Sequence, residues 1–116
     1  MSYRFKYLTC KLEDRIMLIT VNRPEGHNAL NSEVFKEIGA VFQQMEDDPE
    51  VKVVVITGAG EKAFIAGSDV AEMSQCTLLE AKDFTKVVYR SQQSIANFPK
   101  PTIAAINGFA FGGGLE

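Results

Sequence analysis

Tryptophan is missing from this 116-residue sequence, histidine occurs once, and there are only two cysteines, Cys10 and Cys76. A single histidine excludes chemistry built on histidine clusters. Two distant cysteines in no metal-binding spacing suggest reduced thiols, which places the protein in the cytoplasm by expectation. Long apolar runs are lacking as well: the longest is four residues, far short of the roughly twenty that span a bilayer. The first fifteen residues, MSYRFKYLTCKLEDR, are charged throughout and hold no apolar segment, so no secretory signal is expected. Basic excess is also absent. Twelve Lys and Arg stand against fifteen Asp and Glu, a net charge of −3, with none of the basic striping that nucleic-acid binding requires. What is present is a 46% hydrophobic, 23% charged chain, too apolar for disorder and long enough to bury roughly two-thirds of its unfolded surface. Its glycines are unevenly spread: seven of nine fall in two clusters, Gly58, Gly60 and Gly67, then Gly108, Gly112, Gly113 and Gly114.

The hydrophobic pattern predicts strands over 7–12 and 16–21, joined by the turn Glu13-Asp14-Arg15. After the loop 22–28, a helix is expected from about Ser32, capped by Asn31 or Ser32. Val34, Ile38, Val41, Phe42 and Met45 recur along it at three- and four-residue spacing, and Asp47-Asp48-Pro49 ends it. The run VKVVVIT over 51–57 reads as a parallel strand covered on both faces. A short apolar stretch, Ala63 to Ala66, leads to Gly67, and a helical turn follows Ser68-Asp69. Thr77 and Glu80 form a capping box for a long helix carrying Phe84, Val88, Ser91 and Ile95 towards Phe98, stopped by Pro99 and Pro101. A strand is expected over 102–106. Alternating strands and helices imply an α/β fold. One faint repeat recurs with Gly67 and Gly113 at its centres: strand, glycine turn, short apolar stretch with Phe, glycine, helix start.

A glycine turn that opens a helix leaves backbone N–H groups unpaired at the positive end of the helix dipole. Three readings compete for the two turns. Gly58-Ala59-Gly60-Glu61-Lys62-Ala63 matches the dinucleotide fingerprint G-x-G-x-x-A, but the helix that fingerprint needs does not start there. The glycines could serve only tight turns and close packing. Alternatively, one amide from each turn forms an oxyanion hole for a carbonyl oxygen, with the Glu116 carboxylate placed to move protons beside it. Asp69 reads as an N-cap, His27 as a loop residue able to touch a ligand, and Lys62 as a surface lysine able to reach a phosphate.

The runs Asn22-Arg23-Pro24…Asn28-Ala29-Leu30, Ile56-Thr57-Gly58…Ala63-Phe64-Ile65-Ala66-Gly67-Ser68-Asp69 and Pro101-Thr102-Ile103-Ala104-Ala105-Ile106-Asn107-Gly108-Phe109-Ala110-Phe111-Gly112-Gly113-Gly114-Leu115-Glu116 closely resemble the enoyl-CoA hydratase/isomerase (crotonase) family. The resemblance implies a crotonase-like (ClpP/crotonase) spiral of repeated ββα units. Residues 1–116 would form its N-terminal part, with the C-terminal half and trimerisation helices absent. It implies an acyl-CoA thioester as substrate, no cofactor beyond the coenzyme A of that substrate, and a homotrimer or dimer of trimers for the full-length protein. It maps the oxyanion-hole amides to Ser68 and Gly113 and the first hydratase glutamate to Glu116. Ala29, Ala66, Gly67, Asp69, Val70, Ala71 and Gly112 would line the substrate and CoA path. The implied reaction is hydration of a trans-2-enoyl-CoA, with double-bond isomerisation or related family chemistry as the alternative. These 116 residues alone are expected to be inactive, leaving a binding or structural role as the reading of another class.

Overall fold

The structure, a computed structural model, describes residues 2–116. Strands β1 (Leu8–Glu13) and β2 (Ile16–Val21) form an antiparallel hairpin. Its turn is tighter than expected: Asp14 and Arg15 alone make it, both at positive φ, 52° and 66°, the primed geometry that matches strand twist. Helix α1 (Ser32–Glu46) is capped by Asn31, whose side chain accepts from the Val34 amide at 2.8 Å. Its Val34, Val41, Phe42 and Met45 are at most 1% exposed and pack against Met17, Ile19 and Val21 of β2 in one core. Each such burial stabilises by roughly 1.5–3 kcal/mol.

Strand β3 (Val53–Gly58) pairs parallel to β2. It begins two residues later than the sequence pattern predicts. The chain is still turning after Pro49, with Val51 N donating to Asp48 O and Val51 fully buried. Its second face, Val53, Val55 and Thr57, is half-buried rather than covered. Strand β4 (Ala63–Ile65) follows, then the short helix α2 (Val70–Ser74) and the long helix α3 (Leu78–Ala96) with the full Thr77/Glu80 capping box. Edge-on aromatic contacts Phe35–Phe84 and Phe42–Phe98 seat α3 on α1. Strand β5 (Thr102–Ala104) is shorter than the expected 102–106. The Ala105 amide still reaches Ile56 O, but Ala105 O then accepts from the Thr57 hydroxyl and the chain bends away. Strand β6 (Phe109–Ala110) leads into a 3-10 turn at Gly112–Gly114.

The main sheet has the order β1-β2-β3-β5, and β4 and β6 make a second, two-stranded parallel sheet. Units β3–β4–α2–α3 and β5–β6–turn each give one strand to each sheet. The repeat glimpsed in the sequence is therefore a spiral in which equivalent glycine turns stack. Among the described residues no helix is long and apolar enough to cross a membrane.

Candidate active site

The two glycine turns meet backbone to backbone. Because β4 and β6 pair, Phe109 N reaches Lys62 O at 3.0 Å and Phe111 N reaches Ile65 O at 3.2 Å. A Cβ on Gly114 would lie 2.1 Å from Ile65 O, and one on Gly112 would lie 3.8 Å from the Gly67 Cα. The first distance admits only glycine; the second is an ordinary contact, and Gly112 is favoured there by its φ of 49°. Gly67, at φ 104°, lies close against Phe111, whose carbonyl oxygen a Cβ there would meet at 3.2 Å, and a Cβ on Gly113 would sit 3.9 Å from the Ser68 hydroxyl. Ser68 and Gly113 are thus neighbours in space.

Both of their amides are unpaired for structural reasons. In the parallel bridge between Leu30 and Ser68, Leu30 N donates to Gly67 O at 2.7 Å and Asp69 N donates to Leu30 O at 2.9 Å. That pattern leaves the Ser68 N–H over. Gly113 is the second residue of a 3-10 turn whose first bond is Gly114 N to Phe111 O, and such early amides have no partner inside the turn. No acceptor among the described residues engages either N–H. Two free donors on adjacent glycine turns can hold one oxygen and stabilise charge that develops on it.

Ala29, Gly67, Ser68, Asp69, Gly112 and Gly113 are gathered at this junction. Asp69 accepts from the Glu72 amide as the N-cap of α2 and pairs at 2.8 Å with Arg23. The Arg23 guanidinium, followed by the Glu72 amide, holds the Asp69 carboxyl below the usual carboxylate range. Ala66 is half-buried just before the turn, whereas Val70 and Ala71 stand exposed on α2. Glu116 lies one turn beyond Gly112, its amide bonded to Gly112 O at 3.0 Å. Its carboxylate accepts from the Gln92 side chain of α3. His27 and Lys62 are exposed and share a cleft of about 400 Å³ with Pro24, Gly60 and Glu61 beside the first turn. A larger cleft, about 720 Å³, runs between α1 and α3 past Phe35, Gly39, Phe42 and Val87. Its walls are helix interiors whose amides are already bonded, so it offers no oxyanion donors.

Sequence reasoning missed the residues that hold the junction. Asn28, 1% exposed, donates to Ala59 O at 2.9 Å and Ala63 O at 3.0 Å. Asn107 donates to Gly58 O, Gly60 O and Ala63 O while accepting from Gly58 N. Two asparagines from distant segments thus grip the same 58–63 loop. In the sequence each looks like ordinary turn composition, although both fall within the runs that carry the family resemblance.

The enoyl-CoA hydratase/isomerase family matches residues 11–116. The chain is 43% identical over 104 residues to the short-chain-enoyl-CoA hydratase of Clostridium acetobutylicum, covering 90% of this chain and 40% of that protein. It is 38% identical over 112 residues to the crotonyl-CoA hydratase of Syntrophomonas wolfei, covering 97% and 43%. The crystal structure of an enoyl-CoA hydratase from Bacillus anthracis superposes with a TM-score of 0.89 at 30% identity, covering 94% of this chain and 43% of that one. The chain therefore spans about two-fifths of the length of these relatives. Its mixed α/β spiral is the N-terminal portion of their crotonase fold, as the resemblance implied. With two glycine turns stacked in that spiral and the family pattern running from residue 11 to residue 116, this chain belongs to the enoyl-CoA hydratase/isomerase family.

Proposed function

We propose that the protein carrying this chain is an enoyl-CoA hydratase-type lyase that adds water to a trans-2-enoyl-CoA. The observation that carries the reading is the contact between two glycine turns, each with an unpaired amide, at Ser68 and Gly113. The thioester carbonyl oxygen accepts from both N–H groups. Water adds at C3 and the electron pair of the double bond moves onto C2 and that oxygen. The resulting enolate is held where each donor contributes about 2.7–4 kcal/mol to the transition state. Glu116 is one of the groups that take a proton from the water and return one to C2, a role worth about 10²–10⁴-fold for a positioned acid or base. Ala29, Ala66, Gly67, Asp69, Val70, Ala71 and Gly112 belong to the substrate path, and His27 and Lys62 stand at the mouth of the adjoining cleft. Coenzyme A arrives as part of the substrate, so no separate cofactor is required. A water-soluble substrate suits a cytoplasmic enzyme, assembled as a homotrimer or dimer of trimers.

The test is hydration of crotonyl-CoA by the full-length protein, followed as loss of the conjugated thioester absorption, beside a Glu116→Gln variant. Turnover that falls at least about a hundredfold in the variant, with acyl-CoA binding kept, supports the reading. Binding without turnover in the unaltered protein moves it to the isomerase chemistry of the family, where the two amides hold an enolate formed by removing a proton rather than by adding water, and that enolate is reprotonated at another carbon. Binding with neither hydration nor isomerisation leaves the silent binding role, and absence of binding as well leaves a structural one.

A further inference from the structure

We propose that Arg23 and Asp69 are positioning residues that aim the Ser68 amide at the substrate oxygen. The inference rests on the two-amide reading of the site. Ser68 sits between Gly67, whose carbonyl accepts from the Leu30 amide, and Asp69, whose amide donates to Leu30 O and whose carbonyl accepts from Met73 N at the start of α2. Gly67 holds φ at 104° with no side chain to fix it. The Gly67 carbonyl shares a peptide plane with the Ser68 N–H, so its bond to Leu30 N anchors one edge of that plane. On a glycine hinge the plane can still pivot about this single bond, and a second restraint is needed to fix its direction. Arg23 supplies it from outside the bridge. Its Nη2 lies 2.8 Å from Asp69 Oδ2, just after Ser68, and its Nη1 donates to Ala29 O at 3.1 Å, just before Leu30. The planar guanidinium fork therefore closes a ring around Ser68, joining the two segments one step beyond their bridge.

The ring is itself braced. Arg23 and Asp69 side chains are 17% and 16% exposed, and the guanidinium lies over the Tyr7 ring at 5.8 Å. The Arg23 amide donates to Asn28 Oδ1 at 2.9 Å, while Asn28 N donates back to Arg23 O at 2.8 Å. Asp69 Oδ1 is occupied by the Glu72 amide. A partly buried ion pair is weak evidence of net stability, but this one ties the side chain of the residue after the free Ser68 amide to the Ala29 carbonyl, in the peptide whose Leu30 amide holds Gly67 O. That arrangement fixes geometry.

Arg23→Met, Arg23→Lys and Asp69→Asn in the full-length protein test it. The readouts are crotonyl-CoA hydration and the spectrum of a bound 3-phenylacryloyl-CoA, whose absorption moves to longer wavelength when its carbonyl oxygen is polarised. The expected result for R23M is a kcat reduced about ten- to a hundredfold with KM changed less than about threefold, since a small misplacement costs rate before binding. The red shift should shrink with the probe still bound, and R23K should recover part of both effects. Asp69→Asn preserves the N-cap of α2 and should show a smaller loss of the same kind, so it carries the comparison if R23M does not fold. Wild-type kcat and red shift in R23M and D69N, or a loss confined to KM, would overturn the assignment while leaving the two-amide site intact. No red shift with the unaltered protein would overturn the two-amide site and the clamp together.

Discussion

The turn at 66–69 and the turn at 111–114 supply equivalent amides from unequal surroundings. The first is braced by other segments on several sides: Leu30 on both flanks of Ser68, the Arg23 fork across Asp69, and two asparagines behind the 58–63 loop. The second leans on one line of backbone, the Phe111 amide on Ile65 O and Gly114 against the same carbonyl, while Phe109, Phe111 and Leu115 are 55%, 59% and 75% exposed. One turn is set by polar contacts whose partners are distant in sequence. The other inherits its place from the first through β4. A site that needs both is only as accurate as the strand joining them.

The largest effect should come from cutting that inheritance. Gly114→Ala puts a methyl 2.1 Å from Ile65 O, and a carbonyl in β4 cannot yield as a flexible side chain would. Turnover of the full-length protein should fall at least about a hundredfold, as for loss of one oxyanion donor, and wild-type turnover would show that the second turn tolerates displacement. The braced turn should instead fail by degrees. Ala63 O accepts from both Asn28 and Asn107, so each alanine variant alone leaves that oxygen a partner. We expect Asn28→Ala to cost about 1–3 kcal/mol, because it strands buried groups, and Asn107→Ala less. The pair should cost more than the sum, which denaturant melts of the double-mutant cycle would read.

Acid provides a gentler separation. Arg23 holds the Asp69 carboxyl below its ordinary value, so the folded state binds that proton less readily than the unfolded chain. The stability this contributes is complete above about pH 4, the unfolded value, and is lost as pH falls through the lowered one. Melting temperatures of the unaltered protein and Asp69→Asn should therefore differ most near neutrality and converge below about pH 4. A constant gap down to lower pH would contradict the pairing. The smallest effect lies far from either turn. Gly39 stands inside α1, where a Cβ would meet nothing within 4 Å. Gly39→Ala should raise stability by about 0.5–1 kcal/mol with kcat unchanged, a control separating stability from site geometry.

Local features were legible in the sequence because local physics sets them. The 3.6-residue spacing of Val34, Ile38, Val41 and Met45 announced α1, and Thr77 with Glu80 announced the start of α3. The glycine turns, and the adjacency of Ser68 and Gly113, followed from their repeated order and the family resemblance. Strand ends were less legible. β5 stops early because Thr57 takes the Ala105 carbonyl, a partner 48 residues away. Least legible were Arg23 with Asp69 and Asn28 with Ala63. A single polar side chain bonded across 35 residues has no period, and its partner is a backbone atom with no residue identity.

The spiral also orders events in time. The β1–β2 hairpin and α1 are built from near neighbours in the chain and need little loop closure, whereas β6 must find β4 across an intervening pair of helices. Loop entropy is charged before such a contact returns anything. The Gly113 amide thus reaches Ser68 among the last steps of folding. In a stopped-flow refolding experiment, the ability to redden a bound phenylacryloyl thioester should appear after the bulk of helical circular dichroism, so competence marks completion rather than collapse.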